Sequence, residues 1–254
     1  MKVVASHIIV IYLLLSVTTI AQHPYSKKID VEEENLTLKT NVLLKDNSGF
    51  LWIGTSEGLF KYNAVIPEKI HIPGEQKNQV TALHEDASGT IWAGCKTGQI
   101  FFIKNHTASF FTAAEGLPKV SVTAIYEDAK KRLWFATAGE GIFCFDGTHI
   151  YKINIADGLS DDNVNCLYSP DGNQIIAGTD RGISFITFEA GKKTVHFFSS
   201  KNGLPDNIVR CIIKSKQNDL VWVGMQSKGV LLFNIKKEQI TDITATTNWR
   251  YSHY

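Results

Sequence analysis

The sequence predicts an all-β protein made of five four-stranded antiparallel sheets, and three observations support this. A short apolar motif recurs about every forty residues. Each copy of the motif follows a turn-forming cluster, and further apolar runs lie on both sides of it. The five copies are 51–55 (LWIGT), 91–95 (IWAGC), 133–137 (LWFAT), 175–179 (IIAGT) and 221–225 (VWVGM). A period near forty with four strand-like runs per repeat is typical of a β-propeller.

The first strand of each repeat is predicted from an apolar run that precedes the motif. These runs are 40–44, 80–84, 122–126, 164–168 and 209–213. A cluster of Asp, Asn, Gly, Ser or Lys follows each run, and such residues form the tight hairpins that join antiparallel strands. The motif itself is then the second strand of the repeat.

The third and fourth strands follow a glycine that ends the next turn. The third strands are predicted at 59–62, 99–103, 142–145, 183–187 and 230–234. More polar runs at 108–112, 149–153 and 194–198 predict fourth, outer strands. The runs at 25–31 and 239–246 have the same character.

The motif strands are apolar on both faces, as expected where each sheet packs between two neighbours. The repeated aromatic side chain is predicted to fill the space between successive sheets. The residues at this core position are Trp52, Trp92, Trp134, Ile176 and Trp222. A platform for stacking sugars is the alternative, and Ile176 argues against it because an aliphatic side chain cannot stack on a sugar ring.

The first 21 residues predict a secretory signal peptide. Lys2 precedes the apolar run 8–17, and Ala21 comes before a polar turn. This order of charge, apolar core and small residue is typical of cleaved signals. An uncleaved membrane anchor is the alternative. Residues 22–254 are predicted to form the propeller, with repeats at about 36–75, 76–115, 116–158, 159–201 and 202–245.

Composition argues against nucleic-acid binding and against disulfide bonds. The net charge of +1 gives no basic surface for nucleic acid. The four cysteines all lie in apolar runs, which predicts buried thiols rather than disulfides.

The sequence contains no recognisable catalytic or metal-binding constellation, and no cofactor is predicted. The histidines form no i, i+4 pair. The acidic pairs Glu85-Asp86 and Glu127-Asp128 recur at one turn of the repeat, where an aspartate that caps the hairpin explains them.

Ligand binding is expected at loops, because loops vary while the sheets pack. The candidates vary in charge at an equivalent turn near the closing glycine. They are Glu57, Lys96, Glu140, Arg181 and Lys228. Their mixed charges would suit a polar or anionic glycan.

The repeat resembles the two-component regulator propeller repeat of periplasmic sensor regions in hybrid histidine kinases. The resemblance rests on leaders such as Glu115-Gly116-Leu117-Pro118, the Val-Thr-Ala strand start, the Trp motif and the closing Gly-(Leu/Ile)-Phe. It covers about residues 25–245. Ala136 and Ile176 depart from the pattern.

The resemblance implies an extracytoplasmic, carbohydrate-responsive sensing or binding module without a kinase module in this chain. Its expected partners are a glycan or another small polar ligand, another propeller, or a membrane histidine kinase. A propeller enzyme, such as a polysaccharide lyase or hydrolase, and a protein-interaction scaffold are the alternatives. The sequence leaves open whether five sheets close a ring or form part of a larger propeller.

Overall fold

The structure is a computed structural model that describes residues 38–72, 78–112, 116–189, 192–217 and 219–241. The described residues form twenty strands in five antiparallel sheets of four strands each. The predicted fold class is therefore confirmed. The predicted signal segment and the run 25–31 lie outside the described residues.

Each sheet takes its four strands from one repeat. The first contains β1 (Thr40–Lys45), β2 (Leu51–Thr55), β3 (Gly58–Tyr62) and β4 (Pro67–Lys69), and the second β5 (Val80–Glu85), β6 (Ile91–Cys95), β7 (Ile100–Lys104) and β8 (Thr107–Phe110). The third contains β9 (Val122–Glu127), β10 (Leu133–Thr137), β11 (Ile142–Phe145) and β12 (Ile150–Ile153). The fourth contains β13 (Val164–Tyr168), β14 (Gln174–Thr179), β15 (Gly182–Glu189) and β16 (Lys192–Phe198), and the fifth β17 (Val209–Lys214), β18 (Leu220–Met225), β19 (Val230–Asn234) and β20 (Gln239–Thr241).

A register shift occurs near the start of every first strand, and in the first four sheets it directs one polar side chain to the next sheet. In each strand the second residue is skipped in the pairing with the second strand. A bulge of this kind changes the direction of a side chain. Across the four junctions, the donors to a carbonyl of the following sheet are Asn41 (to Val80), Thr81 (to Val122), Thr123 (to Val164) and Asn165 (to Val209).

Successive sheets pack face to face through four apolar clusters. One cluster joins the first and second sheets, and the next three join the second to the third, the third to the fourth and the fourth to the fifth. We call the face toward the following sheet the leading face, and the opposite one the trailing face. Within the described residues no such cluster joins the fifth sheet to the first.

The small residue after the tryptophan position allows this close packing. A Cβ atom on Gly54 would lie 2.7 Å from a methyl group of Val80, the first residue of the next sheet. On Gly94 it would lie 2.5 Å from Val122. Glycine is therefore needed here because the next sheet approaches closely.

The core position that recurs in each repeat lies on the leading face. The side chains of Trp52, Trp92, Trp134 and Ile176 are buried in the four clusters, one in each. Trp222 is only half-buried. The prediction of an equivalent buried role does not hold for Trp222, because among the described residues no following sheet packs on the leading face of the fifth sheet.

The leaders before the fourth and fifth sheets form short 3-10 turns, at Ile155–Asp157 and Ser200–Asn202. Each turn ends at a glycine with positive φ, at Gly158 and Gly203. The leucine that follows each glycine is buried. The Gly-Leu pair therefore ends the turn and anchors the connection in the core.

The four cysteines are free thiols. Cys95 and Cys144 are buried, and burial raises the pKa of each thiol to about 12. Cys166 is half-buried, but Cys211 is exposed. The expectation of a buried thiol was wrong for Cys211, because this side chain points away from the fourth sheet.

Candidate functional site

The hairpins of the first three sheets are each held by one aspartate. Asp46 accepts hydrogen bonds from the Phe50 backbone N–H and from the Trp52 indole Nε1, both at 2.8 Å. Asp86 binds the Trp92 indole in the same way at 2.8 Å. The aspartate therefore caps the hairpin, as the sequence suggested, and also satisfies the buried indole donor.

Hydrogen bonds outweigh burial in setting the pKa of Asp86. Burial favours the neutral acid, but the bonds from Trp92, Ser88 and Thr90 favour the carboxylate and hold the pKa below its ordinary value. Asp86 is thus suited to remain charged and bound, as a structural group.

The glutamate beside the aspartate makes a different contact, with the hairpin of the preceding sheet. The Glu85 Oε2 atom accepts the Asn47 backbone N–H at 2.8 Å. The Glu127 Oε2 atom accepts the Ala87 backbone N–H at 2.7 Å. These acidic pairs therefore link neighbouring sheets, which the sequence reading did not foresee.

The five predicted ligand-binding residues lie on turns between second and third strands, at one end of the sheets. The Glu140 carboxylate is 3.6 Å from Lys152 Nζ, and the Arg181 Nε atom is 3.0 Å from an Asp161 oxygen. Lys96 and Lys228 are exposed, and Glu57 is half-buried. The ion pairs of Glu140 and Arg181 are made within their own repeats rather than with the other candidates.

A polar cluster at this end joins the fourth and fifth sheets. Arg210 donates to Gln226 at 2.6 Å and to Asn165 at 2.9 Å. Asn165 in turn donates to Asp180 at 2.9 Å. The cluster fixes the exposed Arg210 guanidinium near the start of β17. Asp180, which belongs to the cluster, is the residue next to the candidate Arg181.

A groove of about 660 Å³ lies at the opposite end of the sheets, between the first and second. We call it the first–second groove. Its lining includes three carboxylates, two amides, a lysine and a histidine: Asp46, Glu68, Glu85, Asn63, Asn105, Lys61 and His106. Phe50 also lines it, with the Lys61 ammonium 3.8 Å from the centre of the ring. The sequence did not predict this site.

The first–second groove has the composition of a polar recognition site. Its size lies in the usual range for small-molecule sites. Carboxylates accept hydrogen bonds, ammonium groups donate them, and amides and imidazoles do both. The groove therefore matches a ligand with many hydroxyl or amide groups.

A similar groove of about 600 Å³ lies between the fourth and fifth sheets. Tyr168, Lys214, Lys236 and Glu238 are among its lining residues. The Glu238 Oε1 atom is 2.7 Å from His196 Nε2, and the His196 ring stacks on Phe185. We call this the fourth–fifth groove.

In the part of the chain that the structure describes, no group of three or more His, Cys, Asp or Glu side chains is arranged to hold a metal ion. The same residues contain no helix with the length and apolar character needed to cross a bilayer.

Solved structures share this fold. The extracellular domain of a protein described as hybrid two component system BT3049 from B. thetaiotaomicron has a TM-score of 0.66 at 23% identity, over 82% of this chain and 29% of that chain. The extracellular domain of a protein described as one component system BT4673, also from B. thetaiotaomicron, has a TM-score of 0.67 at 16% identity, over 82% of this chain and 28% of that chain. Virginiamycin B lyase from Staphylococcus aureus has a TM-score of 0.60 at 13% identity, over 81% and 73%.

The chain spans less than a third of the length of either B. thetaiotaomicron domain. At these identities the likeness establishes the fold alone. No curated protein matches the chain in sequence.

One family model matches the sequence directly. Its description is Two component regulator propeller, and it matches residues 116–139. This segment contains the Gly116-Leu117-Pro118 leader and the Trp134 motif. The chain therefore carries the two component regulator propeller repeat that its sequence resembles, matched at its third sheet.

Proposed function

We propose that the chain is an extracytoplasmic recognition module with a sensor-like role, and that it binds a carbohydrate in the first–second groove. The observation that supports this most is the lining of that groove, where acidic, amide, imidazole and ammonium groups converge beside a ring. Hydroxyl-rich ligands need such a mixture of donors and acceptors. The matched repeat and the extracellular neighbours support the sensor-like role.

The groove is suited to binding because the backbone around it is fixed. The Glu85 side chain holds the hairpin of the first sheet, and Asp46 holds the same hairpin from within. A prearranged site loses less conformational entropy when its ligand binds. The signal-like N-terminus supports export of the module.

A pair of matched variants tests the proposal. Glu85 and Glu127 make equivalent backbone contacts in neighbouring sheets, but only Glu85 lines the first–second groove. We expect a glycan array followed by calorimetry to detect carbohydrate binding by the purified chain. Glu85→Gln should weaken this binding about tenfold or more, or about 1.4 kcal/mol, and Glu127→Gln should leave it unchanged.

The experiment has clear contrary outcomes. Absence of binding to any glycan on the array would overturn the carbohydrate proposal. Equal loss of affinity in Glu85→Gln and Glu127→Gln would show that the effect comes from the hairpin contacts rather than from the groove.

A hydrolase or lyase acting on a polysaccharide is a second candidate, which the His196–Glu238 pair favours. A histidine within hydrogen-bond reach of a carboxylate is a common arrangement for a general base. The candidate predicts turnover of a polysaccharide that His196→Gln abolishes and that His149→Gln, at an exposed histidine just before the outer strand β12, preserves. Turnover unaffected by His196→Gln, or none at all, would discard it.

A further inference from the structure

The four junctions between successive sheets use the same residue positions. Each leading face contributes three positions to its junction. They are the tryptophan position, the small residue two places later and the residue at the start of the third strand. From each trailing face comes an aliphatic residue in the middle of the first strand. These aliphatic residues are Leu83, Ile125, Leu167 and Ile212.

The leading face of the fifth sheet carries the same positions, and several of them are exposed, although Leu232 beside Trp222 is buried. Ile213 is 60% exposed and Val230 is 56% exposed. Cys211 is exposed on the same face, and Trp222 is half-buried. The residues that equivalent positions bury in the earlier sheets, such as Ile183 for Val230, are here in contact with solvent.

Gly224 adds an independent observation. A Cβ atom on Gly54, Gly94 or Gly178 would meet a valine of the next sheet, whereas on Gly224 it would meet only atoms of Cys211 in its own sheet. Yet the position is glycine in the fifth sheet as well. The Cys211 Sγ atom would lie 2.5 Å from that Cβ atom, so the position is also crowded from within its own sheet. The fifth sheet thus has the small residue that a junction requires, although none of the described residues of another sheet contacts it there.

The first sheet carries the complementary position. Leu43 corresponds to Leu83, Ile125, Leu167 and Ile212, and it is 58% exposed. Arg210 occupies the bulge position of the fifth sheet, but its guanidinium donates to Gln226 and to Asn165 of the fourth sheet, so the match between the two terminal sheets rests on the apolar positions. One chain therefore presents both halves of a junction, one on each terminal sheet.

We propose that the leading face of the fifth sheet binds the trailing face of the first sheet of a second copy of this chain. The contact continues the series of internal junctions, with the partner's Leu43 packing against Ile213, Trp222 and Val230. Exposed apolar residues clustered on one face mark interaction surfaces. Because two different faces meet, the association is head-to-tail, and each copy keeps one face for a further copy.

Light scattering during size-exclusion chromatography, over a range of concentrations, tests the association. The unmodified chain should exceed the mass of one copy as concentration rises. Ile213→Lys and Leu43→Lys should each remain monomeric, since each loses one of the two faces. Ile155→Lys is the control, because Ile155 is equally exposed but lies in the turn before the fourth sheet.

A mixture of the two variants tests the head-to-tail arrangement. Ile213→Lys keeps the first-sheet face, and Leu43→Lys keeps the fifth-sheet face, so the mixture should form a dimer and nothing larger. Maleimide labelling of Cys211 should be slower in this mixture than in either variant alone. The buried thiols of Cys95 and Cys144 provide the unreactive reference.

Three results would overturn the proposal. A chain that is monomeric at every concentration would show that no second copy occupies the face. Association lost in Ile213→Lys but kept in Leu43→Lys would mean that two fifth sheets pack on each other. Association kept in both variants would place the contact elsewhere.

Discussion

The hairpins of the first three sheets and those of the last two are held by different groups. In the first three, an aspartate six residues before the tryptophan binds both the hairpin backbone and the indole. In the fifth sheet Ser215 takes this place, in a hairpin that is one residue longer, whereas in the fourth sheet Pro170 takes it and Ser169 comes one residue earlier. The Ser169 hydroxyl donates to Gln174 O and accepts from Gly172 N.

This difference explains the departure of the fourth repeat from the motif. A buried indole needs an acceptor for its N–H group, and the carboxylate supplies it. Where Pro170 replaces the aspartate, the core residue is Ile176, which has no donor. Trp222 follows Ser215 and is half-buried. In the fourth sheet the hairpin side chain and the core residue therefore change together, whereas in the fifth sheet the aspartate is absent and the tryptophan is retained but less buried.

The largest expected effect comes from removing the carboxylate in the third sheet. Asp128 binds the Trp134 indole at 2.8 Å and pairs with the buried Arg132 guanidinium at 2.6 Å. Asp128→Ala leaves that charge unpaired, so the free energy of unfolding should fall by about 3–5 kcal/mol. Ser169→Ala, which removes the side chain that holds the fourth hairpin, should cost only about 1 kcal/mol. Urea denaturation measures both, and similar losses would contradict the distinction between the two hairpin types.

A smaller effect should follow from adding a side chain where two sheets pack closely. Gly94→Val would push a side chain against Val122 and should lower the free energy of unfolding by about 1–3 kcal/mol. Gly224→Val meets only the flexible Cys211 side chain and should change it by less than about 0.5 kcal/mol. Urea midpoints of dilute samples compare the two variants. An equal loss would show that Gly224 is needed within its own sheet.

The smallest effect is a pH dependence of stability that arises in the second sheet, from His84. The His84 Nε2 atom accepts the Glu127 backbone N–H at 3.1 Å, which requires the neutral ring. Burial lowers the pKa of His84 below its ordinary value of 6.5, and it outweighs the opposing influence of Glu127 and Asp86. As pH falls, the unfolded chain therefore binds a proton at His84 before the folded chain does. The free energy of unfolding should decline as pH falls below about 6.5.

Thermal melts between pH 7.5 and 5 test this dependence. The decline should be shallower in His84→Gln, because the amide oxygen accepts the same bond and does not titrate. His149→Gln, at an exposed histidine, should retain the full decline. A pH dependence unchanged in His84→Gln would assign it to other groups.

The fold could be predicted from sequence because each repeat carries its own strands and turns. The motif strands agree with the predicted ranges, and the predicted outer strand 149–153 is β12, Ile150–Ile153. The 3-10 turns were missed because three residues give little periodicity. The grooves could not be predicted, because residues such as Phe50 and His106 come together only when two repeats pack. The signal that was available, but not recognised, is the aspartate six residues before three of the tryptophans.

The backward reach of Glu85 and Glu127 gives the repeats a fixed order. Each of these carboxylates secures the loop of the unit encoded just before it, so the second and third units complete the first and second. The fourth and fifth units have Ser169 and Lys214 at that site and offer no carboxylate there. Exchanging the second unit with the fourth would keep every strand and still leave the opening loop unsecured. Units that share one architecture are therefore not interchangeable parts, and their divergence specifies where each belongs along the chain.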